Sequence, residues 1–148
     1  MRDCRVGSAT VSARARAEKD SERFDEWIRH ANESGEEPAI PAATVVILRD
    51  TVEGVQTLML KKNSTISFGG MWVFPGGKID ADDHDDTGNL VAAARRAAIR
   101  EAHEEAQLDI DAESLVMIAH WIPPSIAPKR FATWFFAAPV DTDHAVID

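Results

Sequence analysis

Arg100-Glu101-Ala102-His103-Glu104-Glu105 is the stretch that decides how this sequence folds, and it ends an alanine-rich run that begins near Leu90. Alanine has the highest intrinsic helix propensity, and paired charges four residues apart add to it. The run therefore predicts a single helix from Leu90 to Gln107. The charged residues of the quoted stretch would then project from its last two turns.

Residues four apart share one face of a helix, so Glu101 and Glu105 would lie side by side while Arg100 pairs with Glu104. Two carboxylates one turn apart offer the hard oxygen ligands that Mg²⁺ prefers, together with substrate phosphates and waters. A solvated acidic face is the ordinary alternative for a glutamate-rich helix. The glycines upstream favour the metal site over that alternative.

Those glycines follow Trp72-Val73-Phe74, which predicts a short strand that leads into Pro75-Gly76-Gly77-Lys78. Glycine permits backbone geometry that can place a carbonyl oxygen beside a metal ion. The sequence thus predicts that a tight strand end and an acidic helix meet at one place.

Together, Gly77, Arg100, Glu101, Glu104 and Glu105 resemble the signature of the Nudix hydrolases. That signature is a Gly, five residues, a Glu, seven residues, and then Arg-Glu-apolar-x-Glu-Glu-x-Gly-apolar. Three features depart from it. Asp83 stands at the position of the first Glu, Gln107 stands at the position of the second Gly, and the spacer before Arg100 is longer than usual.

The resemblance implies an α/β chain with the Nudix-type α/β/α sandwich and a mixed β-sheet. It also implies a pyrophosphohydrolase that depends on Mg²⁺ or Mn²⁺ and acts on a small-molecule diphosphate. The metal ligands that it implies are Glu101, Glu104, Glu105 and the carbonyl of Gly77, and the catalytic residues are Glu101, Glu104 and Arg100. Arg100 has two interpretations, a clamp on Glu104 or Asp83 and a contact with a phosphate; helix geometry favours the clamp.

A narrower resemblance is to bacterial relatives of the acyl-coenzyme A diphosphatase branch of the family. It depends on Leu60-Lys61-Lys62-Asn63-Ser64, on Phe68 to Asp80, and on Arg130-Phe131-Ala132-Thr133-Trp134-Phe135-Phe136. This branch implies coenzyme A or an acyl-coenzyme A as substrate. Its phosphates would contact Lys62, Lys78 and Arg130, for which ordinary surface charge is the alternative.

Two other functions stay open on the same residues. One is an ADP-ribose, NADH or nucleoside triphosphate pyrophosphohydrolase, because the signature reports diphosphate chemistry and not the groups that flank it. The other is a non-catalytic ligand-binding module, which the altered first Glu and Gln107 favour. The complete set of Arg100, Glu101, Glu104 and Glu105 argues against a module that only binds.

Composition is compatible with such an enzyme. The chain has 148 residues, 45% of them hydrophobic, which is enough for a single hydrophobic core. Its formal net charge of −9 argues against nucleic acid or an anionic membrane as partner, because both require a basic surface. The only cysteine is Cys4, so no intramolecular disulfide is possible. No apolar run approaches the roughly 20 residues that span a bilayer, and no signal peptide is evident. We expect a soluble cytoplasmic protein.

The chain divides at about residue 38 into an N-terminal segment, 1–38, and the Nudix-like domain, 39–148. The first 17 residues predict a mobile leader or a frayed helix start. Phe24, Trp27, Ile28 and Ala31 predict an amphipathic helix from Asp20 to Asn32, which Ser34-Gly35 stops. Hydrophobic runs predict strands at residues 43–48, 55–60, 72–74, 115–119 and 131–138.

After Val140 too few residues remain for a final helix of ordinary length, so the sandwich would lack its usual C-terminal helix. The sheet face that it leaves uncovered predicts either a homodimer or packing of the Asp20–Asn32 helix on the sheet.

Several other polar and aromatic residues have ordinary interpretations. Asp80 to Asp86 is a solvated acidic loop rather than a calcium loop, because the twelfth position counted from Asp83 is Ala94 where a bidentate Glu is required. His103 is packed or solvated rather than a ligand. The strand aromatics Trp121, Trp134 and Phe135 are expected in the core, although each could stack on an adenine.

Overall fold

The computed structural model of the chain describes residues 7–35, 38–62, 71–127 and 129–141. The chain forms two compact units, Met1–Pro38 with Pro123–Arg130 and Ala39–Ile122 with Phe131–Asp148. Among the described residues, no helix is both long and apolar enough to cross a membrane.

The first unit contains one long helix, α1, which spans Gly7–Ser34 and ends where Gly35 adopts a φ of +77°. The predicted helix is therefore present but begins earlier than Asp20. Residues 7–17 are helical, so of the two predictions for this segment the helix start is the correct one and the mobile leader is wrong for them. Alanine, arginine and glutamate are strong helix formers, and Arg14 adds an ion pair with Glu18 at 3.3 Å. Cys4 lies outside the described residues.

The second unit is built on a mixed five-stranded sheet in which β2, β1, β7 and β6 are neighbours in that order and β5 also pairs with β1. β1 pairs with β7 in parallel and with β2 and β5 antiparallel. β3 and β4 form a separate two-stranded sheet. The strands are β1 Ile40–Thr51, β2 Gly54–Thr57, β3 Leu60–Lys61, β4 Trp72–Val73, β5 Gly76–Lys78, β6 Val116–Trp121 and β7 Phe131–Pro139.

The predicted strand at 55–60 is only partly correct. The pairing of β2 with β1 ends at Thr57, and Leu60–Lys61 pairs with Trp72–Val73 instead. Propensity and alternation do not identify which strand becomes the partner, so the sequence pattern alone does not reveal this switch.

The core lies between one face of the sheet and helix α2, Leu90–Ala106. β7 alternates between buried and partly buried side chains, as a strand with one covered face does. All six buried residues of α2 are alanines without exposed surface, so the helix lies close to the sheet. The core cluster includes Ala43, Val45 and Ile47 of β1, Trp134, Phe136 and Ala138 of β7, and Ala94, Ala97, Ala98, Ala102 and Ala106 of α2.

Strand β6 borders the sheet, and all six of its residues are exposed. Its pairing with β7 shifts register between Met117 and Ala119, which is a bulge of the kind common at sheet edges. Trp134 is buried as expected, whereas Trp121 retains 60% of its surface, so the prediction of a core position is wrong for Trp121.

The homodimer and the packing of α1 on the sheet stay predictions. The expected absence of a C-terminal helix concerns residues 142–148, which lie outside the described part of the chain.

Helix α2 ends one residue earlier than expected, at a cap where the family signature has Gly and this chain has Gln107. Gln107 adopts the left-handed conformation with a φ of 52°, and its backbone N–H donates to Ala102 O and His103 O. L-residues pay about 1–2 kcal/mol for this conformation, which is why glycine is common at such a position.

We expect Gln107→Gly to raise the free energy of unfolding by about 0.5–1 kcal/mol, because relief of the left-handed strain exceeds the greater backbone freedom of glycine in the unfolded chain. Chemical denaturation at pH 7 measures this change. The matched control is Gln107→Ala, which shortens the side chain but keeps the Cβ, and it should give no gain. A Gln107→Gly midpoint at or below that of the unaltered chain would contradict the explanation.

Candidate active site

Helix α2 presents its residues to the site in adjacent rows of four-residue spacing. Ala93 and Ala97 are fully buried, and the same row continues to Glu101 and Glu105, which are partly buried. The next row carries arginines and the more exposed Glu104. Burial of the alanines holds the carboxylates of the following turns at the edge of the core.

The two glycines of β5 allow close approach on both sides of this short strand. A Cβ at Gly76 would lie 2.6 Å from the carbonyl oxygen of Ala43, and a Cβ at Gly77 would overlap the carboxylate of Glu101. The N–H of Gly76 donates to Glu105 Oε2 at 3.0 Å. The glycine-rich strand and the acidic helix thus meet as the sequence predicts, with Glu101 lying directly against Gly77.

Arg100 is clamped from the side of the loop before α2. Its Nε and Nη2 atoms donate to the two carboxylate oxygens of Asp83 at 3.2 Å and 2.9 Å, which is a bidentate ion pair. Nη2 also donates to Lys78 O at 3.0 Å. Asp83 is only 4% exposed, and its carboxylate accepts a further hydrogen bond from the N–H of Asp80 at 2.9 Å.

The other side of the same guanidinium contacts the acidic face. Arg100 Nη1 donates to Glu101 Oε1 at 2.9 Å and to Glu104 Oε2 at 3.1 Å. The predicted clamp is therefore present on both of its candidate partners, Asp83 and Glu104. Arg100 connects the loop to the carboxylates by direct hydrogen bonds.

Burial and these contacts together shift the pKa values of Asp83 and Glu101 in opposite directions. Burial opposes ionisation of Asp83, but the hydrogen bonds from Arg100 and from the Asp80 backbone outweigh it and lower the pKa of Asp83 below its ordinary value of 3.8. Burial raises the pKa of Glu101, and the like charges of Glu105 and Glu104 raise it further against the opposing effect of Arg100. Glu101 is thus a crowded carboxylate that a nearby cation would stabilise.

The predicted phosphate-binding residues occupy three different positions. Lys62 Nζ lies 3.5 Å from Glu105 Oε1, so this ammonium is beside the acidic face. The Lys78 side chain is exposed at the end of β5. Arg130 directly precedes β7 and belongs to the first compact unit, so its contact with the site stays a prediction. Residues 63–70, which carry part of the narrower resemblance, lie outside the described residues.

The donor chemistry fits a hard divalent cation, although the side chains are not gathered around one point. Within the described ranges, no group of three or more His, Cys, Asp or Glu is arranged so that it could hold a metal ion. Each of the three predicted glutamate ligands contacts a protein cation or N–H instead. The carboxylates outnumber the cations, with Asp80, Asp83, Asp85, Glu101, Glu104 and Glu105 on one side and Lys62, Arg96 and Arg100 on the other.

Sequence reasoning missed Arg96, which donates from Nε to the carbonyl oxygen of Asp83 at 2.5 Å. The sequence does indicate that Arg96 lies one turn before Arg100 on the same side of the helix. It does not indicate the contact with Asp83, because that contact depends on the path of the chain between Asp83 and α2.

We expect Asp83→Asn to lower the free energy of unfolding by about 2–4 kcal/mol at pH 7, because a buried, doubly bonded ion pair is broken. The folded-state pKa of Asp83 lies below its ordinary value of 3.8, so the carboxylate stabilises the fold fully above that value. The contribution is lost as the pH falls through the folded pKa.

Chemical denaturation of both proteins at pH 7, 5, 4 and 3 measures this dependence. The difference between them should be constant from pH 7 to 5 and should shrink below about pH 4. A difference that grows on acidification, or no difference at pH 7, would contradict the role assigned to the carboxylate. Asp50→Asn, at an exposed position of β1, is the matched control.

Comparison with known proteins agrees with this geometry. The chain matches the model of the NUDIX domain over residues 38–146. A NUDIX hydrolase from Alicyclobacillus acidocaldarius superposes with a TM-score of 0.64 at 20% identity, covering 75% of this chain and 74% of that one. The C. elegans Ap4A hydrolase gives a TM-score of 0.51 at 23% identity, covering 75% and 76%. Among curated proteins, none matches the chain.

A third similar structure is the NUDIX domain of Shewanella oneidensis NrtR complexed with ADP ribose, with a TM-score of 0.59 at 16% identity over 83% of this chain and 74% of that one. At these identities the superpositions show the fold alone, and the family follows from the domain match, which covers well over half of the chain. The mixed sheet, the glycine-rich β5 and the Arg-Glu face of α2 agree with it. The chain therefore belongs to the Nudix family.

Proposed function

We propose that the chain is a divalent-metal-dependent pyrophosphohydrolase that cleaves the diphosphate of a nucleoside diphosphate linked to another group, with coenzyme A or an acyl-coenzyme A as preferred substrate. The observation that carries the proposal is the pair of hydrogen bonds from Arg100 to Glu101 and Glu104, made while the same side chain is fixed by buried Asp83. An ordinary solvated face has no need of such a constraint.

The proposed ligands of Mg²⁺ or Mn²⁺ are Glu101, Glu104, Glu105 and the carbonyl oxygen of Gly77. When bound, the metal would supply charge neutralisation at the diphosphate and activation of water. The excess of carboxylates over cations supports this assignment, because the described cations do not balance the negative charge. The raised pKa of Glu101 is compatible with it, because burial and the neighbouring glutamates disfavour its ionised form and a bound cation would favour that form.

The remaining roles belong to the chain's own side chains. Arg100 holds Glu101 and Glu104 in fixed directions, and these two carboxylates are the candidates that accept a proton from the attacking water. Lys62, Lys78 and Arg130 are the proposed phosphate contacts. Lys62 has support from its position near Glu105, where an ammonium can reach a phosphate bound next to the acidic face.

The choice of substrate has less support than the choice of reaction. Coenzyme A is preferred because the segments around Leu60 to Asp80 and Arg130-Phe131 resemble the acyl-coenzyme A diphosphatase branch. ADP-ribose is the main competitor, because the similar NrtR domain was solved in complex with it. Both substrates contain an adenosine diphosphate, so the site must distinguish them by the group on the far phosphate or by the 3′-phosphate that only coenzyme A carries.

Turnover of a substrate panel tests the proposal. Coenzyme A, acetyl-coenzyme A, ADP-ribose, NADH and diadenosine tetraphosphate are each incubated with the chain and either Mg²⁺ or Mn²⁺, and the products are separated by chromatography. We expect coenzyme A or its acetyl form to have the highest kcat/KM and to yield 3′,5′-ADP with a 4′-phosphopantetheine. ADP-ribose in first place would change the substrate while keeping the reaction.

Two variants test whether the measured activity belongs to the chain or to a contaminating enzyme. Glu101→Gln and Glu105→Gln should each reduce kcat by about 100-fold or more, the usual size of an electrostatic term in a transition state, while thermal unfolding stays nearly unchanged. Glu53→Gln, in the exposed turn after β1, is the matched control and should keep full activity. Turnover of no panel member with either metal would favour a ligand-binding module instead.

A further inference from the structure

The spacer from Asp83 to Arg100 has sixteen residues, against seven in the family signature, yet Asp83 contacts Arg100. Ten of these residues belong to α2, and residues 84–89 form the loop that connects Asp83 to the helix. A longer connection leaves more conformations open to its end residue, and the entropy of fixing that end grows with its length. Asp83 is held at one end by its own 3-10 turn, Ala81–Asp83, and at the other end by contacts from the loop and from α2.

The loop is ordered by its own hydrogen bonds at the helix end. The side chain of Asn89 accepts from the N–H groups of Val91 and Ala92, both at 3.1 Å, and so caps α2. Thr87 connects this cap to the loop, because its hydroxyl accepts from Asn89 N at 3.2 Å and donates to Asp85 Oδ1 at 2.5 Å. These contacts position Asp85 close to the first turns of the helix.

Arg96 joins that ordered segment to Asp83. Its Nε donates to the Asp83 carbonyl oxygen at 2.5 Å, and its Nη2 lies 3.1 Å from Asp85 Oδ2. The second contact is an ion pair whose angle is not that of a hydrogen bond, so Nη2 is buried without a hydrogen-bond partner among the described residues. Arg96 thus binds the backbone of Asp83, in addition to the 3-10 turn, while Arg100, one turn later, binds its carboxylate.

We propose that Arg96 is a positioning residue for the metal-binding carboxylates, and that it acts through Asp83 and Arg100. With the Asp83 backbone fixed by Arg96, its carboxylate stays against Arg100, and Arg100 in turn orients Glu101 and Glu104. This proposal rests on the proposed function, because it assumes that these glutamates bind Mg²⁺ or Mn²⁺. Loss of a group that orients metal ligands typically weakens metal binding about 10–100-fold.

A measurement of Mn²⁺ binding in the absence of substrate tests the proposal. The electron paramagnetic resonance signal reports the concentration of free Mn²⁺ during a titration and gives the dissociation constant. We expect Arg96→Ala to raise the dissociation constant about tenfold or more. Arg96→Lys, which keeps the charge and one donor, should recover part of the affinity and serves as the variant that is least disturbing to the fold. Unchanged Mn²⁺ affinity in both variants would overturn the proposal.

Arg95→Ala is the matched control. Arg95 is the neighbouring arginine on α2, but it donates to the carbonyl oxygens of Ala112 and Leu115 and lies over the Phe136 ring. Its removal should lower the unfolding temperature and leave the Mn²⁺ dissociation constant within about twofold. A loss of Mn²⁺ affinity equal to that of Arg96→Ala would show that helix destabilisation alone is responsible, and would overturn the specific role of Arg96.

A double-variant cycle identifies the route. If Arg96 acts through Asp83, Arg96→Ala should have little further effect on Mn²⁺ affinity in the Asp83→Asn background, because groups that act through one another are not additive. The same fold-change in both backgrounds would contradict that route. Failure of the proposed function would give a different result. The unaltered chain would then bind no Mn²⁺, or it would bind Mn²⁺ more tightly than Arg96→Ala does and yet turn over no member of the substrate panel.

Discussion

The bidentate ion pair between Arg100 and Asp83 is the constraint on which the candidate site depends. A guanidinium is a planar group whose N–H donors lie at fixed angles to one another. Once its Nε and Nη2 donors are bound, the direction of the Nη1 donors is therefore determined as well. Asp83 and the Lys78 carbonyl take one side, and Glu101 and Glu104 take the other. The position of a loop residue thereby sets the orientation of two carboxylates on a helix.

Packing of α2 supplies the second condition. Its buried residues are all alanines, so the helix axis lies close to the sheet, and Glu101 comes into contact with the backbone of Gly77. Larger core residues would increase this distance, and a side chain at Gly77 would overlap the carboxylate. Alanine therefore serves both purposes in α2, because it has the highest helix propensity and also allows close packing on the sheet. Such agreement between local preference and overall packing favours a single stable fold.

Much of this arrangement could be predicted from the sequence. β1, β7 and α2 follow from an apolar run, a strand-like aromatic segment and alanine-rich periodicity, and the clamp of Arg100 follows from its spacing to Glu104. What escaped prediction depends on partners distant in sequence. β3 pairs with β4 in a separate sheet instead of continuing the hairpin of β1 and β2, and Trp121 lies on an exposed edge strand. Arg96 contacts Asp83 only because the chain before α2 brings Asp83 back to the side of the helix that carries Arg96.

The central claim is that the acidic end of α2, and not the acidic loop before it, holds the metal ion. Paramagnetic broadening of backbone amide signals by substoichiometric Mn²⁺, recorded by NMR, tests it most directly, because broadening falls steeply with distance from the ion. We expect the signals of Gly76, Gly77 and Glu101 to Glu105 to broaden first. Earlier broadening at Asp82 to Thr87, with the Gly77 and Glu101 signals intact, would contradict the account.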